Sequence, residues 1–216
     1  MLANENKKVN MENTNNSTVH AHISQGNRKL GAIPNFSLVP GRTCSTEACK
    51  TCLVQGCYAC KAYRQYKTVK NAWNDNTELA VNGLEQLEAE LNAYFDKLTA
   101  PRFFRVHTGG DFVTREYAEM WARVAASHPG TTFLAFTKQW DNVRGVEFPD
   151  NFSIVLSGWP GTEIPADLRA VYPVANMIET MEQHDERAIL CPGNCDNCGM
   201  CFNLKKTGLN VEFLKH

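Results

Sequence analysis

The nine cysteines of this chain are confined to two short stretches. Five lie in CSTEACKTCLVQGCYAC and four in CPGNCDNCGMC, and about 130 residues between the stretches contain none. In a reducing compartment such clustering favours metal ligation over disulfides. The fold must therefore bring several sulfurs within reach of one or two metal centres. The candidate ligands are Cys44, Cys49, Cys52, Cys57, Cys60, Cys191, Cys195, Cys198 and Cys201.

The composition is that of a globular protein, with 43% hydrophobic and 21% charged residues among 216. A formal net charge of −1 gives no overall basic field for nucleic acid, so such a partner would need a local basic groove. No apolar run is long enough to cross a membrane, and the Asn-rich amino terminus lacks a signal-peptide pattern. We therefore predict a cytoplasmic protein without a membrane partner.

Hydrophobic patterning alternates between strands and helices along most of the chain. Predicted strands span residues 32–41, 102–107, 131–137, 151–157 and 173–179, and predicted helices span 61–73, 77–98, 115–128 and 165–171. Thr114 is the predicted cap of the third helix. This order predicts an α/β fold: a mostly parallel sheet or partial (β/α) barrel with cysteine-rich loops at the strand ends.

Three regions follow from these patterns. We predict a disordered polar tail at residues 1–25, an α/β core with the first cysteine group at 26–190, and a cysteine-rich segment packed on that core at 191–216.

The carboxyl ends of strands hold the functional loops in such folds, so sulfur and polar groups are expected to meet at one rim. His107, Asp111 and Lys138 follow predicted strands and are candidate catalytic residues. Gly109, Gly110 and Asp111 are candidate cofactor contacts, because two glycines permit close approach of a ligand. A structural interpretation competes with both: a tight turn at the glycines, with Asp111 placed before a helix.

Spacing in the second cysteine group favours an iron–sulfur cluster over zinc. Structural zinc sites usually separate two CxxC pairs by a longer stretch, whereas these four cysteines follow one another at gaps of three, two and two. Four thiolates also close a 4Fe–4S cluster. The first group has one cysteine more than a closed cluster needs, so both an open three-thiolate set and a closed set fit it. Zinc stays open as the alternative.

Four stretches carry a family resemblance: IPNFSLVPGRTC, CYACK, FFRVHTGGDFVTREYAEMWARVAASHPGTTFLAFTK and CPGNCDNCGMCFN. They resemble the phage "gene product eighty-eight" domain family over residues 28–216. If a phage encodes the protein, the predicted location is the host cytoplasm. The resemblance implies an iron–sulfur-like protein, with Cys44, Cys57 and the second cysteine group as the principal metal positions. Cys49 and Cys52 come next, and family members commonly lack a cysteine where Cys60 stands. The loop and cysteines also show a distant resemblance to the radical S-adenosylmethionine partial barrel.

These features predict an iron–sulfur protein with one or two 4Fe–4S clusters. Its activity would be redox or radical chemistry on an unidentified small molecule, with an electron donor and, in the radical case, S-adenosylmethionine. The rival is a zinc-stapled binding module without catalysis, in which Lys61, Arg64, Lys67 and Lys70 form a basic surface for nucleic acid. A cluster with a purely structural or regulatory role is the third hypothesis.

Overall fold

One sheet of eight strands organises the structure, a computed structural model that describes residues 19–54, 56–159 and 163–215, with the backbone alone at 51–54. The strands are β1 (Ile23–Ser24), β2 (Asn35–Phe36), β3 (Phe103–Val106), β4 (Thr132–Thr137), β5 (Phe152–Ser157), β6 (Val174–Ile178), β7 (Ile189–Leu190) and β8 (Val211–Leu214). Their order in the sheet is β1-β2-β3-β4-β5-β6-β8-β7, and every neighbouring pair is parallel except β1 with β2.

Helices connect these strands. They are α1 (Thr46–Val54), α2 (Tyr58–Gln65), α3 (Lys67–Asn82), α4 (Leu84–Phe95), α5 (Arg115–Ser127), α6 (Trp140–Val143), α7 (Ala166–Arg169), α8 (Cys195–Cys198) and α9 (Leu204–Thr207), with 3₁₀ turns at Met181–Gln183 and Met200–Asn203. The α/β fold predicted from the alternation is confirmed. No helix among the described residues is long and apolar enough to span a membrane.

Strands β2 to β6 lie in chain order, so each crossover steps in the same direction across the sheet. When all crossover connections have the same handedness, their helices lie on the same face of the sheet. The main hydrophobic core lies between the sheet and these helices. Phe104 and Phe133 of the strands are fully buried against Leu91 of α4 and Trp121 of α5. The second face, called here the open face, carries no layer of long helices.

Apolar residues of two short segments cover the open face. Leu134, Val155 and Val211 point to this side, and Phe202 and Leu204 from the carboxyl-terminal segment pack on them. Leu30 and Ile33, which precede β2, complete this smaller core. The sheet is therefore buried on both sides, as expected for parallel strands.

The predicted strands at 102–107, 131–137, 151–157 and 173–179 and the helix at 115–128 are confirmed within a residue or two. Thr114 caps α5, because its Oγ1 accepts a hydrogen bond from the Tyr117 amide at 3.2 Å. The predicted helix at 77–98 is interrupted at Gly83, which ends α3 and precedes α4. The first predicted strand shrinks to Asn35–Phe36.

Both ends of the chain differ from the sequence prediction. The polar tail was predicted to reach residue 25, but β1 pairs with β2, and the Ala21 amide donates to Glu90 at 2.6 Å. Residues 1–18 lie outside the described part. At the other end, β8 lies between β6 and β7, so the segment after residue 190 contributes a strand to the core sheet. Four residues of strand are too short for a periodic pattern to reveal.

Candidate functional site

The first cysteine group follows β2, at the carboxyl-end rim of the sheet. Cys49 lies on α1, Cys57 caps α2 and Cys60 lies within it, so the predicted loop is largely helical. The sulfur of Cys44 interacts electrostatically with those of Cys49 and Cys57, and Cys60 with those of Cys57 and Cys49. Cys52 lies on α1, and its side chain is outside the described part. Four sulfurs are therefore neighbours at this rim.

Burial keeps two of these thiols protonated. It raises the pKa of Cys44 to about 12, against the opposing effect of the Gly41 amide, which donates to Cys44 Sγ at 3.5 Å. Burial, followed by the charge of Cys57, raises the pKa of Cys60 to about 11. Because metals bind the thiolate, a metal must displace protons from this group.

The second cysteine group is built on two short turns. Cys191 follows β7, Cys195 and Cys198 begin and end α8, and Cys201 lies in the 3₁₀ turn. The left-handed conformation of Gly199, with φ of 62°, allows the chain to reverse between the two turns. The Cys201 sulfur interacts electrostatically with those of Cys191, Cys195 and Cys198, and the Cys195 sulfur with those of Cys191 and Cys198. Burial raises the pKa of Cys201 to about 12.

This second group lies on the open face and not at the rim, which corrects the expectation that both groups meet there. The ring of Phe202 lies 4.5 Å from that of Phe103, and Ser153 Oγ donates to the Phe202 carbonyl at 2.9 Å. Cys195 and Cys201 pack in the same apolar cluster. The segment lies here because Phe202 and Leu204 require an apolar surface, which the open face provides.

Arg105 lies between the two cysteine groups. It is the register partner of Asn35 and Leu134, and its side chain leaves β3 on the open face. Its Nε donates to the His107 carbonyl at 3.1 Å, and its guanidinium lies 4.3 Å from the centre of the Phe136 ring. Its charge interacts with Tyr58 beside the first group and with Cys195 and Cys201 of the second. In the described part of the chain no carboxylate forms an ion pair with it.

The two glycines of the HTGGD loop pack against other residues of the protein and do not face an open surface. A Cβ on Gly109 would lie 2.7 Å from the Trp73 ring, and one on Gly110 would lie 2.6 Å from both Leu38 Cβ and Thr43 Oγ1. Gly110 also has a φ of 75°, which favours glycine. These contacts support the tight-turn interpretation of the loop over the cofactor interpretation.

Asp111 connects three segments at the rim. Its Oδ1 accepts from Thr137 Oγ1 at 2.6 Å, its Oδ2 accepts from the Lys138 amide at 2.7 Å, and its own amide donates to Thr43 Oγ1 at 3.1 Å. Burial raises the pKa of Asp111, while these hydrogen bonds oppose the rise. The carboxylate is 5% exposed, so its oxygens are committed to the protein.

His107 is buried on the helix-facing side, although strand alternation would place it beside Arg105. Its positive φ of 63° turns it away, and its Nε2 lies 2.9 Å from the hydroxyl of Tyr117. Lys138, by contrast, is half-exposed at the rim. Of the three candidate catalytic residues, Lys138 alone offers a side chain at the surface, and a catalytic role for it stays a prediction.

The described cysteines are all free thiols: Cys44, Cys49, Cys57, Cys60, Cys191, Cys195, Cys198 and Cys201. Within residues 19–54, 56–159 and 163–215, no group of three His, Cys, Asp or Glu side chains is already arranged to hold a metal ion. Within each group the described sulfurs interact electrostatically, but they are not arranged as a complete set of metal ligands. The metal predictions for all nine cysteines stay predictions.

Sequence reasoning missed Arg105 and Lys29 as members of the site. Arg105 stands between phenylalanine and valine in a strand that is otherwise buried, and a charge in that position is the signal that was available. Lys29 precedes β2, and its carbonyl accepts from the Cys195 amide at 2.9 Å. No local pattern connects residue 29 to residue 195.

Comparison with known proteins places this chain in a family. The sequence model of the family described as "Gene product 88" matches residues 3–203. The chain belongs to the Gene product 88 family. This match confirms the family resemblance carried by the four sequence stretches, and it supports neither the iron–sulfur character nor the resemblance to the radical S-adenosylmethionine barrel.

Two mycobacteriophage proteins are similar to this member of the Gene product 88 family. The Gene 88 protein of Mycobacterium phage D29 is 26% identical, over 89% of this chain and 92% of its own length. The Gene 88 protein of Mycobacterium phage L5 is 29% identical over 140 residues, 61% of this chain and 59% of its own length. No solved structure matches the chain. These names specify no metal and no reaction.

Proposed function

We propose that the protein binds a thiolate-ligated metal centre, foremost a 4Fe–4S cluster, at the second cysteine group. The observation that supports this is the electrostatic interaction of the Cys201 sulfur with those of Cys191, Cys195 and Cys198, on a segment packed against the sheet. Soft thiolates select iron–sulfur clusters and zinc among biological metals. Four closely spaced cysteines favour the cluster.

The first cysteine group is the proposed second centre. Cys44, Cys49, Cys57 and Cys60 are neighbours at the carboxyl-end rim, where α/β sheets bind ligands. A closed cluster there would carry electrons from a donor. An open iron with S-adenosylmethionine would support radical chemistry on a small molecule. Either function fits the cytoplasmic location predicted from the sequence, because thiols persist in a reducing compartment.

Anaerobic purification with iron and acid-labile sulfide analysis tests this proposal. We expect a coloured protein with about four irons and four sulfides per cluster. Cys198→Ser should remove the cluster of the second group, and Cys57→Ser that of the first. Cys60→Ser is the comparison, since family resemblance makes Cys60 the weakest ligand of its group. A colourless protein with stoichiometric zinc and no sulfide would contradict the iron–sulfur assignment.

A reaction with S-adenosylmethionine distinguishes radical catalysis by the cluster from a non-radical role. The reduced, cluster-loaded protein is mixed with S-adenosylmethionine, and deoxyadenosine is measured by chromatography. Release that disappears in Cys57→Ser and persists in Cys198→Ser would assign the reactive iron to the first group. Without any release, the clusters serve electron transfer or structure.

A basic surface supports the second candidate, nucleic-acid binding. Lys61, Arg64, Lys67 and Lys70 are exposed on α2 and α3, and none forms an ion pair within the described part of the chain. Tyr66 is 52% exposed among them. A shallow depression of about 370 Å³ is lined by Lys61, Arg64 and Gln65. Exposed cations beside an aromatic ring suit phosphates and a stacked base.

Fluorescence anisotropy with a single-stranded oligonucleotide tests this candidate. We expect affinity that falls steeply with salt and is lost in the Lys67→Gln/Lys70→Gln double variant. Lys50→Gln is the matched control, because Lys50 is exposed but already paired with Glu47 at 2.9 Å. Equal binding by both variants would exclude this surface.

A further inference from the structure

Arg105 is the most unusual charge on the open face of the sheet. It is half-buried beside the ring of Phe136, yet it forms no ion pair with a carboxylate in the described part of the chain. Burying a guanidinium without a counter-ion is costly. Such a residue is retained where it has another anionic partner.

Nearby carboxylates do not serve as that partner. Asp111 interacts with Arg105 only at long range, because its oxygens are bound to Thr137, Lys138 and Phe112. Glu212 of β8 is bound to His184 Nδ1 at 2.6 Å. The ionisable groups left near Arg105 are the thiols of Cys195 and Cys201 and the phenol of Tyr58. The two thiols would become anionic on binding a metal.

The Arg105 guanidinium has donors that the described protein does not use. Its Nε donates to the His107 carbonyl, and one face of the group lies over the Phe136 ring. The terminal nitrogens have no hydrogen-bond partner among the described residues. The group is thus held in place with donors to spare, and its charge interacts with Cys195 and Cys201.

Lys29 adds a second cation near Cys195. Its ammonium lies 4.7 Å from the centre of the Phe213 ring, and its carbonyl accepts a hydrogen bond from the Cys195 amide. The Phe213 ring lies 5.8 Å from that of Phe136, which Arg105 contacts, and both rings pack in the apolar cluster that includes Cys195 and Cys201. Both cations therefore lie beside the cluster that contains these sulfurs.

We propose that Arg105, assisted by Lys29, is the fixed counter-charge of the metal centre held by Cys191, Cys195, Cys198 and Cys201. This inference rests on the proposed function. Four thiolates around a metal or cluster carry net negative charge, and the apolar surroundings from Phe103, Phe136 and Phe202 do not solvate it. Arg105 and Lys29 offset that charge and are positioning residues, since they act on the centre through its ligands.

Cobalt(II) titration of the reduced full-length protein tests the inference, because cobalt–thiolate absorption shows directly whether the thiolates of this group bind a metal ion. The parent carries serine in place of all five cysteines of the first group (Cys44, Cys49, Cys52, Cys57 and Cys60), so that the second group alone binds. We expect Arg105→Met to weaken cobalt affinity by about 10- to 100-fold, the usual effect of losing a supporting group around metal ligands. Arg105→Lys should restore most of it, which a packing role would not predict.

Two further variants complete the test. Arg123→Met removes an exposed arginine paired with Glu88 and should leave cobalt affinity unchanged. Lys29→Glu, at an exposed position, should weaken it several-fold even if Arg105→Met does not fold. Equal affinity of the parent, Arg105→Met and Lys29→Glu would overturn the inference and leave the proposed function standing. A parent that neither binds cobalt nor assembles a cluster with iron and sulfide would overturn both.

In the cluster-loaded protein the reduction potential gives an independent readout. Reduction adds negative charge, so a nearby cation stabilises the reduced state. Arg105→Met and Lys29→Glu should therefore lower the potential of the second cluster, measured by electron paramagnetic resonance, and Arg105→Lys should not. A potential that is the same in all three would contradict the counter-charge role.

Discussion

His107 shows how one residue is fixed by its backbone and by burial together. It is the non-glycine residue with a positive φ in the described part of the chain, and it is 2% exposed. Its Nδ1 has no hydrogen-bond partner there. Burial, with a smaller contribution from Arg105, lowers the pKa of the ring from 6.5 to about 3. The residue is therefore neutral at physiological pH.

A pH dependence of stability follows from that lowered pKa. As the pH falls from about 6.5 to 3, His107 becomes protonated in the unfolded chain but stays neutral in the folded chain. The free energy of unfolding should then fall by up to about 1.4 kcal/mol per pH unit from this residue. Urea titrations at intervals between pH 7 and 4 measure it. His107→Asn, which tolerates a positive φ, should show a shallower slope. An unchanged slope would refute the assignment.

Gly109 gives a second prediction at the residue scale. Gly109→Ala would place a methyl group 2.7 Å from the Trp73 ring and 3.3 Å from Ala59 Cβ. We expect a loss of about 1–3 kcal/mol in the free energy of unfolding, as for other overpacked sites. Gly130→Ala is the control, because nothing lies within 4 Å of a Cβ there. Equal stability of the two variants, measured by urea unfolding, would show that the loop accommodates the added methyl group without a loss in the free energy of unfolding.

At the scale of elements, sequence patterns predicted the long buried strands and α5 because their periodicity spans many contacts. They missed β7 and β8, where two and four residues of strand give too little pattern. They placed the cysteines in loops, whereas CxxC also fits one helical turn, as Cys57–Cys60 and Cys195–Cys198 show. The position of the second group depends on Phe202, whose partner Phe103 is about 100 residues away.

Phe202 is expected to hold the carboxyl-terminal segment on the open face. The side chain is 2% exposed, and Phe202→Ala should cost about 3–5 kcal/mol if the segment stays docked. If the segment detaches instead, its amides should exchange hydrogen rapidly while the rest of the sheet stays protected. Met200→Ala, on the same 3₁₀ turn and 42% exposed, should do neither. A Phe202→Ala protein with native stability and native protection would contradict the anchoring role.

At the scale of the whole molecule, metal binding and folding should be coupled. The second cysteine group lies at α8 and the following 3₁₀ turn, between β7 and β8 in the chain, and both strands belong to the sheet. A metal bound by these cysteines would therefore link the last 26 residues to the core. A ligand that binds the folded state alone adds stability as RT ln(1 + [L]/Kd), about 2.7 kcal/mol at one hundred times Kd.

The coupling predicts a higher melting temperature for the metal-loaded protein than for the metal-free protein. Calorimetry of anaerobic samples with and without cobalt(II) measures the difference. In Cys191→Ser/Cys198→Ser the part due to the second group should vanish, whereas Ser45→Ala, beside the first group but without a thiol, should keep the full shift. Because Phe202 already docks the segment, the metal-free protein should still unfold cooperatively. A metal-free protein without a folded sheet would mean instead that the thiolate centre, and not the apolar contact with Phe103, holds the segment in place.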